Sequence, residues 1–272
     1  MSGRGIAAIQ MTSGHEVPAN LAEARRLVSE AARQGAGLVV LPENFACMAG
    51  SDAERRALVE VEGVGPIQEA LASMAGELGV WLVGGTLPMR RVDDERPANS
   101  CLVFDADGRQ VARYDKIHLF DVDLAERGES YRESAHAAPG KEPVVVDTPL
   151  GRLGLSVCYD LRFPELYRRL VAAGAELLSV PAAFTVPTGR AHWEVLLRAR
   201  AIESQCWVVA AAQWGRHSNG RETWGDSLQV DHWGRLVGRR REGAGVVVVE
   251  PDLDSQRLDR KRFPVLEHRV LR

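Results

Sequence analysis

The 272-residue sequence lacks any apolar run long enough to cross a membrane. Its most apolar stretches, such as residues 246–249, fall far short of the ~20 residues that a membrane-spanning helix needs. The N-terminal segment, MSGRGIAAIQMTSGHE, also lacks the apolar core and small-residue cleavage site of a signal peptide. These absences predict a cytoplasmic protein with no membrane partner.

An excess of basic residues is missing as well. Lysine and arginine number 34 against 37 acidic residues, which gives a net charge of −3. Because binding to a phosphate backbone depends on basic charge, we expect no nucleic-acid partner. Hydrophobic residues make up 45%, which is enough for a sizeable core. The length and the absence of a Pro- or Ser-rich linker predict a single domain over residues 1–272.

Closely spaced cysteines and metal-ligand motifs are also lacking. Cys47, Cys101, Cys158 and Cys206 lie far apart, with no C-x-x-C pair, and the histidines show no H-x-x-x-H spacing. We therefore expect free thiols in a reducing compartment and no metal site. The phosphate-binding motif G-x-x-x-x-G-K-[ST] and the motif G-x-S-x-G are missing too, which argues against a nucleotide-binding enzyme.

Alternating apolar runs and amphipathic segments predict an α/β fold with mixed sheets. Strands are predicted at residues 6–11, 38–41, 80–86, 100–105, 110–114, 144–147, 153–157, 176–180, 206–212, 228–231, 236–239 and 246–249, and helices at 19–34, 67–78, 164–173 and 190–204. Asp107-Gly108 predicts a hairpin turn. Residues 120–143, rich in charge, glycine and proline, are predicted to form a long loop, and loops of that length are usually functional or disordered.

Cys158 is the most informative single residue. It follows the apolar run LGLSV and precedes a predicted helix. A cysteine at a strand-to-helix turn is exposed at the carboxyl edge of a sheet, where α/β folds bind ligands. Backbone N–H groups just after it can face a developing oxyanion, which favours a nucleophile. The alternative is a buried structural cysteine, the commoner fate of a free thiol.

Three charged residues occupy positions at which catalytic side chains are often found. Glu43 follows a fully apolar strand, and Lys116 follows another strand in a chain with only three lysines. Glu133 lies in the long predicted loop. A buried lysine at a sheet edge can pair with a carboxylate or stabilise an oxyanion. From position alone, an ordinary loop or surface charge remains the alternative for each.

Three motifs follow one another along the chain: LPENF around Glu43, YDKIHLFD around Lys116 and GLSVCYDLRFPEL around Cys158. Together they resemble the nitrilase superfamily of carbon–nitrogen hydrolases. Further matching stretches are HWEVLLRARAIESQCWVVAAAQ, GDSLQVDHWGR and FPVLEHR, so the resemblance runs almost to the C-terminus. Within the superfamily, the motifs look most like the amidases of the Nit branch.

The resemblance implies a four-layer α-β-β-α sandwich with two mixed β-sheets. It also implies a homodimer, or a higher homo-oligomer, formed through helices. The charged tail from about residue 255 would then pack at the dimer interface. A frayed terminus is the alternative for this tail.

The resemblance further implies a Glu-Lys-Cys triad. Glu43 would act as general base and acid, Lys116 as electrostatic stabiliser and Cys158 as nucleophile, with Glu133 positioning Lys116 or the substrate amide. The expected reaction is hydrolysis of a terminal carboxamide to an acid and ammonia through a thioester, without metal or organic cofactor. Deaminated glutathione is the favoured substrate. The alternatives are alpha-ketoglutaramate, the substrate of omega-amidase, and a catalytically idle scaffold on the same fold.

Candidate substrate-binding residues follow from this chemistry. An anionic substrate needs cations in its pocket, for which the candidates are Arg162, Arg190, His192 and Arg198. An ordinary ion pair is the alternative for each of them. Phe184 and Thr185 follow a strand end and are expected to line the pocket near Cys158. The backbone N–H of Tyr159 is a candidate oxyanion donor.

Overall fold

The computed structural model describes residues 4–124 and 129–271. Its helices in these ranges are α1 (Val17–Arg33), α2 (Asp52–Ala57), α3 (Pro66–Leu78), α4 (Pro164–Ala172), α5 (Val186–Ser204) and α6 (Leu253–Arg262). Its strands are β1 (Gly5–Gln10), β2 (Ala36–Val40), β3 (Trp81–Val83), β4 (Leu87–Met89), β5 (Ala98–Phe104), β6 (Gln110–Asp115), β7 (Asp121–Leu124), β8 (Glu129–Arg132), β9 (Val145–Thr148), β10 (Gly151–Leu155), β11 (Leu177–Ala182), β12 (Trp207–Ala212), β13 (Trp214–Arg216), β14 (Glu222–Trp224), β15 (Ser227–Val230), β16 (Leu236–Arg240) and β17 (Gly245–Val249).

Two large mixed sheets form the centre of the fold. The seven-stranded sheet runs in the order β17-β1-β2-β3-β5-β4, with β6 paired to β5. The six-stranded sheet runs β16-β15-β12-β11-β10-β9. In the first sheet β1, β2 and β3 are parallel, and in the second β10, β11 and β12 are parallel. Antiparallel strands flank both parallel blocks, so the predicted mixed sheets are confirmed.

Alternation of side chains along the strands explains how the layers stack. On β1, Ile6 and Ala8 belong to the apolar core shared with the second sheet, whereas Ala7 and Ile9 pack with α1 and α3. Successive strand side chains point to opposite faces, so one apolar strand serves two layers. Helices α4 and α5 cover the other face of the second sheet with residues such as Tyr167. The order is therefore helix, sheet, sheet, helix, which confirms the four-layer α-β-β-α sandwich.

Buried polar side chains tie the two sheets together. Gln10 Oε1 accepts a hydrogen bond of 2.8 Å from the Ser227 N–H, and Gln229 Nε2 donates one of 2.8 Å to the Ile6 carbonyl. All four residues are buried. Because hydrogen bonds are directional and apolar packing is not, these contacts fix how one sheet sits on the other.

The predicted long loop over residues 120–143 is wrong in part. It contains the antiparallel pair of β7 and β8, followed by a short 3₁₀ turn at Glu133–Ala135. Residues 125–128 of this stretch lie outside the described residues. An exposed ion pair of 2.7 Å between Asp123 and Arg132 joins the two strands. The two strands are joined by charged side chains and not by alternating apolar ones, so the hydrophobic pattern of the sequence does not predict them.

The C-terminal tail includes a well-anchored helix. In α6 the buried Gln256 accepts a hydrogen bond of 3.2 Å from the Trp207 N–H and donates one of 3.0 Å to the Glu176 carbonyl. Arg260 donates to the carbonyls of Gln205 and Ala175. The alternative of a frayed tail is therefore wrong for this helix. Its role at a dimer interface stays a prediction.

No helix within residues 4–124 and 129–271 is long and apolar enough to cross a membrane.

Candidate active site

A cavity of about 580 Å³ opens where strands of both sheets end. Glu43 follows β2, Lys116 directly follows β6, Cys158 follows β10, and Glu133 follows the β7–β8 hairpin. All four line this cavity. The structure thus brings together the four residues that the sequence places in the catalytic set. Glu43 follows a parallel strand of the first sheet and Cys158 follows one of the second, so the two residues meet across the stacked sheets at the carboxyl ends of these strands.

Cys158 sits in a strained backbone conformation. Its φ angle is +47°, a left-handed value that is uncommon for residues other than glycine. The residue begins a short 3₁₀ turn, Cys158–Arg162. Such backbone strain persists only where the surroundings hold it, and it is frequent at functional sites. Here the side chain of Asp160 accepts a 2.9 Å hydrogen bond from the Val157 N–H and so closes the turn around Cys158.

The same Asp160 carboxylate joins the cysteine turn to the lysine segment. It is fully buried and accepts a 2.7 Å hydrogen bond from the Tyr114 hydroxyl and one of 3.0 Å from the His118 N–H. His118 Nδ1 lies 2.7 Å from the same carboxylate. Tyr114 and His118 flank Lys116 in sequence, so Asp160 fixes the segment bearing the lysine against the turn bearing the thiol.

Lys116 lies between two carboxylates. Its Nζ donates to Glu43 Oε1 at 2.9 Å and to Glu133 Oε2 at 2.8 Å, and only 1% of the residue is exposed. Asn99 Nδ2 donates to both glutamates at 3.1 Å. The Phe120 N–H completes the cluster with a 2.7 Å hydrogen bond to Glu133 Oε2. A buried charge is stable only when it is paired and hydrogen-bonded, and this arrangement meets both conditions.

The electrostatics of the cluster keep the thiol protonated. Burial and the neighbouring Glu43 raise the pKa of Cys158 well above its usual value, although Lys116 and a hydrogen bond with the Ala183 backbone act in the opposite direction. Burial favours a lower pKa for Lys116, but Glu133 and Glu43 outweigh it and raise that pKa. Lys116 is thus an ammonium, and Cys158 needs a proton acceptor in order to attack.

Glu133 remains ionised beside the lysine. Burial alone would raise its pKa, but the Lys116 charge and the hydrogen bonds from Lys116, Phe120 and Asn99 outweigh burial and lower it. With Glu133 ionised, Lys116 keeps a counter-charge even when Glu43 changes its protonation. This arrangement suits a site in which Glu43 exchanges protons with the reactants and Glu133 stays ionised.

Four of the predicted substrate-binding residues line the cavity, namely Tyr159, Arg162, Phe184 and Thr185. The Arg162 guanidinium lies 5.3 Å from the Phe184 ring and 5.7 Å from the Tyr159 ring. Phe184 packs on Trp193 at 4.8 Å between ring centroids. These contacts form an aromatic wall that carries a positive charge next to Cys158.

The structure does not bring the other proposed cations to the cavity wall. Arg190 is exposed on α5, with its guanidinium 5.9 Å from the Trp224 ring. His192 is also exposed and lies 3.2 Å from Arg162 Nη1. Arg198 binds the turn between β15 and β16. All three therefore lie outside the wall that the described residues form.

Among the polar residues of the cavity wall that the sequence did not reveal are Asn99 and Arg221. Asn99 lies near the start of β5, where a single polar residue in a strand has no distinguishing pattern. Arg221 directly precedes β14, part of a short hairpin that the apolar pattern did not predict. Its Nη2 donates a 2.6 Å hydrogen bond to the Ala183 carbonyl.

The donor set does not resemble a metal centre. Within the described residues, no three histidine, cysteine or acidic side chains are grouped as metal ligands. The two carboxylates at the centre of the cavity are instead satisfied by the Lys116 ammonium.

The fold and this site agree with a hydrolase of carbon–nitrogen bonds. The family model for carbon-nitrogen hydrolase matches residues 5–261, and the chain belongs to that family. It acts on carbon–nitrogen bonds other than peptide bonds. The predicted resemblance to the nitrilase superfamily is thereby confirmed.

Individual relatives support the same assignment. The deaminated glutathione amidase of Yersinia enterocolitica is 44% identical over 269 residues, covering 98% of this chain and 93% of the relative. The C. elegans NitFhit protein, of which this chain spans 65%, superposes with a TM-score of 0.87 at 39% identity over 98% of this chain.

A third similar protein is the amidase from Nesterenkonia sp. AN1, a member of the nitrilase superfamily. Its TM-score is 0.75 at 27% identity, over 95% of this chain and 98% of the neighbour. That structure is of a Glu-to-Gln mutant and shows the result of Michael addition of acrylamide at the active-site cysteine.

Proposed function

We propose that this protein is a cysteine-dependent amidase that hydrolyses deaminated glutathione. The observation that carries the proposal is Lys116, buried between Glu43 and Glu133 in the cavity that also holds Cys158. This set supplies a nucleophile, a proton acceptor and a fixed positive charge. The similarity to proteins named deaminated glutathione amidase supports the substrate.

The first half of the proposed reaction forms a thioester. Because the thiol is protonated at rest, Cys158 attacks the amide carbonyl as its proton passes to Glu43. The Lys116 ammonium and the Tyr159 N–H stabilise the tetrahedral oxyanion. Glu43 then gives the proton to the departing nitrogen, the carbon–nitrogen bond breaks, and the acyl group stays on the sulfur.

The second half releases the acid. Glu43, ionised again, takes a proton from a water molecule that attacks the thioester carbonyl, and the same positive groups stabilise the second oxyanion. The proton returns to the sulfur as the carbon–sulfur bond breaks. Throughout, Glu133 keeps Lys116 charged and in place through its 2.8 Å contact. The cycle uses no metal or organic cofactor.

The leaving group depends on the substrate. The release of ammonia that the sequence predicts is wrong for deaminated glutathione. In deaminated glutathione the nitrogen of the γ-amide belongs to cysteinylglycine, so the products are 2-oxoglutarate and this dipeptide. Ammonia is the product only from a terminal carboxamide such as alpha-ketoglutaramate. The cavity of about 580 Å³ lies within the ~300–1,000 Å³ range of pockets for ligands of this size.

A side-by-side assay tests the proposal. Cysteinylglycine release from deaminated glutathione is compared with ammonia release from alpha-ketoglutaramate, using Cys158→Ala as the blank. A higher kcat/KM for deaminated glutathione supports the proposal. A preference for alpha-ketoglutaramate makes the protein an omega-amidase instead. If neither amide is hydrolysed and Cys158 is not acylated, a catalytically idle scaffold is favoured.

We also propose a cytoplasmic homo-oligomer, most simply a homodimer. The outer face of α5 exposes Val195 and Ile202, and Trp233 and Phe263 are half-exposed near the C-terminal helix. Exposed apolar side chains of this kind are common at subunit interfaces. The four cysteines are free, which suits a reducing compartment. The molar mass by light scattering of the wild type, of Ile202→Asp and of a chain ending at Phe263 tests the assembly.

A further inference from the structure

Arg221 and Arg162 are half-buried arginines of the active-site cavity with no carboxylate partner among the described residues, and Arg221 differs in having a buried Nε without a hydrogen-bond partner there. Three arginines of the cavity wall form ion pairs: Arg55 with Asp52, Arg96 with Asp94, and Arg132 with Asp123. Arg56 is exposed. Among the described residues, no carboxylate lies within ion-pair distance of Arg162 or Arg221. The positive charge of the wall is therefore uncompensated around these two half-buried side chains.

The Arg221 guanidinium is held in place, although not all of its N–H groups are hydrogen-bonded. Nη2 donates a 2.6 Å hydrogen bond to the Ala183 carbonyl, and the group lies 5.3 Å from the centre of the Tyr131 ring. Its Nε is buried and has no hydrogen-bond partner among the described residues. Backbone hydrogen bonds fix its loop, from the His217 N–H to the Arg221 carbonyl and from the Arg221 N–H to Asn219 Oδ1. A rigid guanidinium with unused N–H donors is suited to bind a carboxylate.

The position of Arg221 indicates which part of a substrate it meets. Its anchor, Ala183, lines the same cavity as Cys158, and the Ala183 backbone acts to lower the pKa of the Cys158 thiol. The guanidinium is therefore anchored to a residue on the nucleophile's side of the cavity. The acyl group is the portion that becomes bonded to this sulfur and stays behind when the amine departs. A cation anchored here contacts the acyl portion.

We propose that Arg221 is a specificity-determining residue that binds the carboxylate of the substrate's acyl group, so that the site selects amides of dicarboxylic acids. This inference rests on the proposed amidase function and adds the acyl specificity of the same site. Both deaminated glutathione and alpha-ketoglutaramate carry that carboxylate. Arg221 therefore acts equally on both substrates and does not distinguish between their leaving groups.

The test compares two amides that differ only at this end. Alpha-ketoglutaramate carries the carboxylate, and 4-oxopentanamide has a methyl group in its place. The variants are Arg221→Gln, Arg221→Lys and, as the matched control, Arg216→Gln, which removes an exposed arginine of the same hairpin outside the cavity wall.

Arg221→Gln is expected to lower kcat/KM for alpha-ketoglutaramate and for deaminated glutathione by about 10- to 100-fold, mainly through KM. Hydrolysis of 4-oxopentanamide changes by less than about threefold, since no interaction with its acyl group is lost. Arg221→Lys keeps the charge and gives an intermediate loss, and Arg216→Gln matches the wild type. An equal loss on 4-oxopentanamide overturns the proposal in favour of a structural role. A loss confined to deaminated glutathione overturns it in favour of the leaving-group carboxylate.

A binding measurement separates this inference from the proposed function. Calorimetric titration with 2-oxoglutarate, the acid product, is expected to show about 10- to 100-fold weaker binding to Arg221→Gln than to the wild type. If the wild type hydrolyses none of the amides, the proposed function fails, and the titration still decides the role of Arg221. Equal affinity of the two proteins for 2-oxoglutarate refutes it.

Discussion

Replacing Glu43 by glutamine is expected to separate the reactivity of Cys158 from amide hydrolysis. The glutamine amide oxygen can still accept the 2.9 Å hydrogen bond from Lys116 Nζ and the 3.1 Å bond from Asn99. Glu133 still holds Lys116 at 2.8 Å. The substitution therefore preserves the shape of the cluster while removing one negative charge and one proton acceptor.

The two losses act in opposite directions. The charge on Glu43 is the largest cause, after burial, of the raised pKa of Cys158, while Lys116 lowers it. Without Glu43 the pKa of the thiol falls, and each unit of fall gives about tenfold more thiolate at neutral pH. Amide hydrolysis instead loses its general base and acid, which is worth about 10²- to 10⁴-fold. We therefore expect faster alkylation and much slower turnover in the same variant.

Intact-protein mass spectrometry of iodoacetamide labelling between pH 6 and 10 measures the first effect, and steady-state hydrolysis measures the second. Cys158→Ala corrects for labelling of the other cysteines. Glu165→Gln serves as the control for loss of an exposed carboxylate, because Glu165 lies in the first turn of α4 outside the cavity wall. If Glu43→Gln keeps hydrolysis within tenfold of the wild type, a preformed thiolate attacks and Glu43 is not the base. If its labelling profile does not move to lower pH, the electrostatic account of the thiol is wrong.

Three further predictions concern buried polar groups. The pKa of Glu133 is lowered by Lys116, so its ionised form stabilises the wild type above pH 4.5, and this contribution is lost as pH falls below that value. In Lys116→Met burial instead raises the pKa of Glu133, so the stability of this variant falls as pH rises. Urea unfolding should show that its free energy of unfolding is about 3–5 kcal/mol below that of the wild type at pH 8, and that the difference is smaller at pH 5. Asp160→Ala leaves buried donors without an acceptor and should cost about 3–5 kcal/mol in urea unfolding, with Asp160→Asn costing less. Burial lowers the pKa of His217 below 6.5, so the wild type should lose stability as pH falls from 7 to 5, and thermal unfolding of His217→Gln should vary less over that range; equal slopes for the two proteins would contradict this.

The positions of Glu43 and Cys158 were partly predictable because each follows an apolar strand. Residues 38–41 and 153–157 are apolar enough to be recognised as buried strands, and residues after such strands are candidates for chemistry. The pattern marked each residue separately, but it did not show that their strands belong to two different sheets. The roles of Lys116 and Glu133 depended on the family resemblance, because a single charged residue after a strand or in a loop has no distinctive pattern.

The missed features share a different physical cause. The β7–β8 hairpin is joined by an exposed ion pair between Asp123 and Arg132, and α2 buries no side chain, so neither produces an apolar period. Asn99 and Arg221 reach the cavity through contacts with residues far away in sequence. Arg221 bonds to Ala183, and Asn99 bonds to Glu43 and Glu133. Such contacts depend on how the sheets are placed, and local sequence does not encode that placement.

The precision of the site therefore depends on a few polar ties between the sheets. Glu43 belongs to the end of a strand in the first sheet and Cys158 to the end of a strand in the second. Gln213 at the end of β12 is fully buried, and its Nε2 donates to the Glu43 carbonyl at 3.1 Å and to the Ser13 hydroxyl at 2.8 Å. Apolar packing between the sheets favours burial but tolerates small displacements, whereas a displacement of about 1 Å at the reacting atoms can cost 10²-fold in rate. Gln213 and Asp160 fix the separation and angle that packing leaves free, because each joins a catalytic segment of one sheet to the other sheet. The apolar pattern thus determines that the strand ends meet, and these two buried polar side chains determine how accurately the nucleophile meets its base.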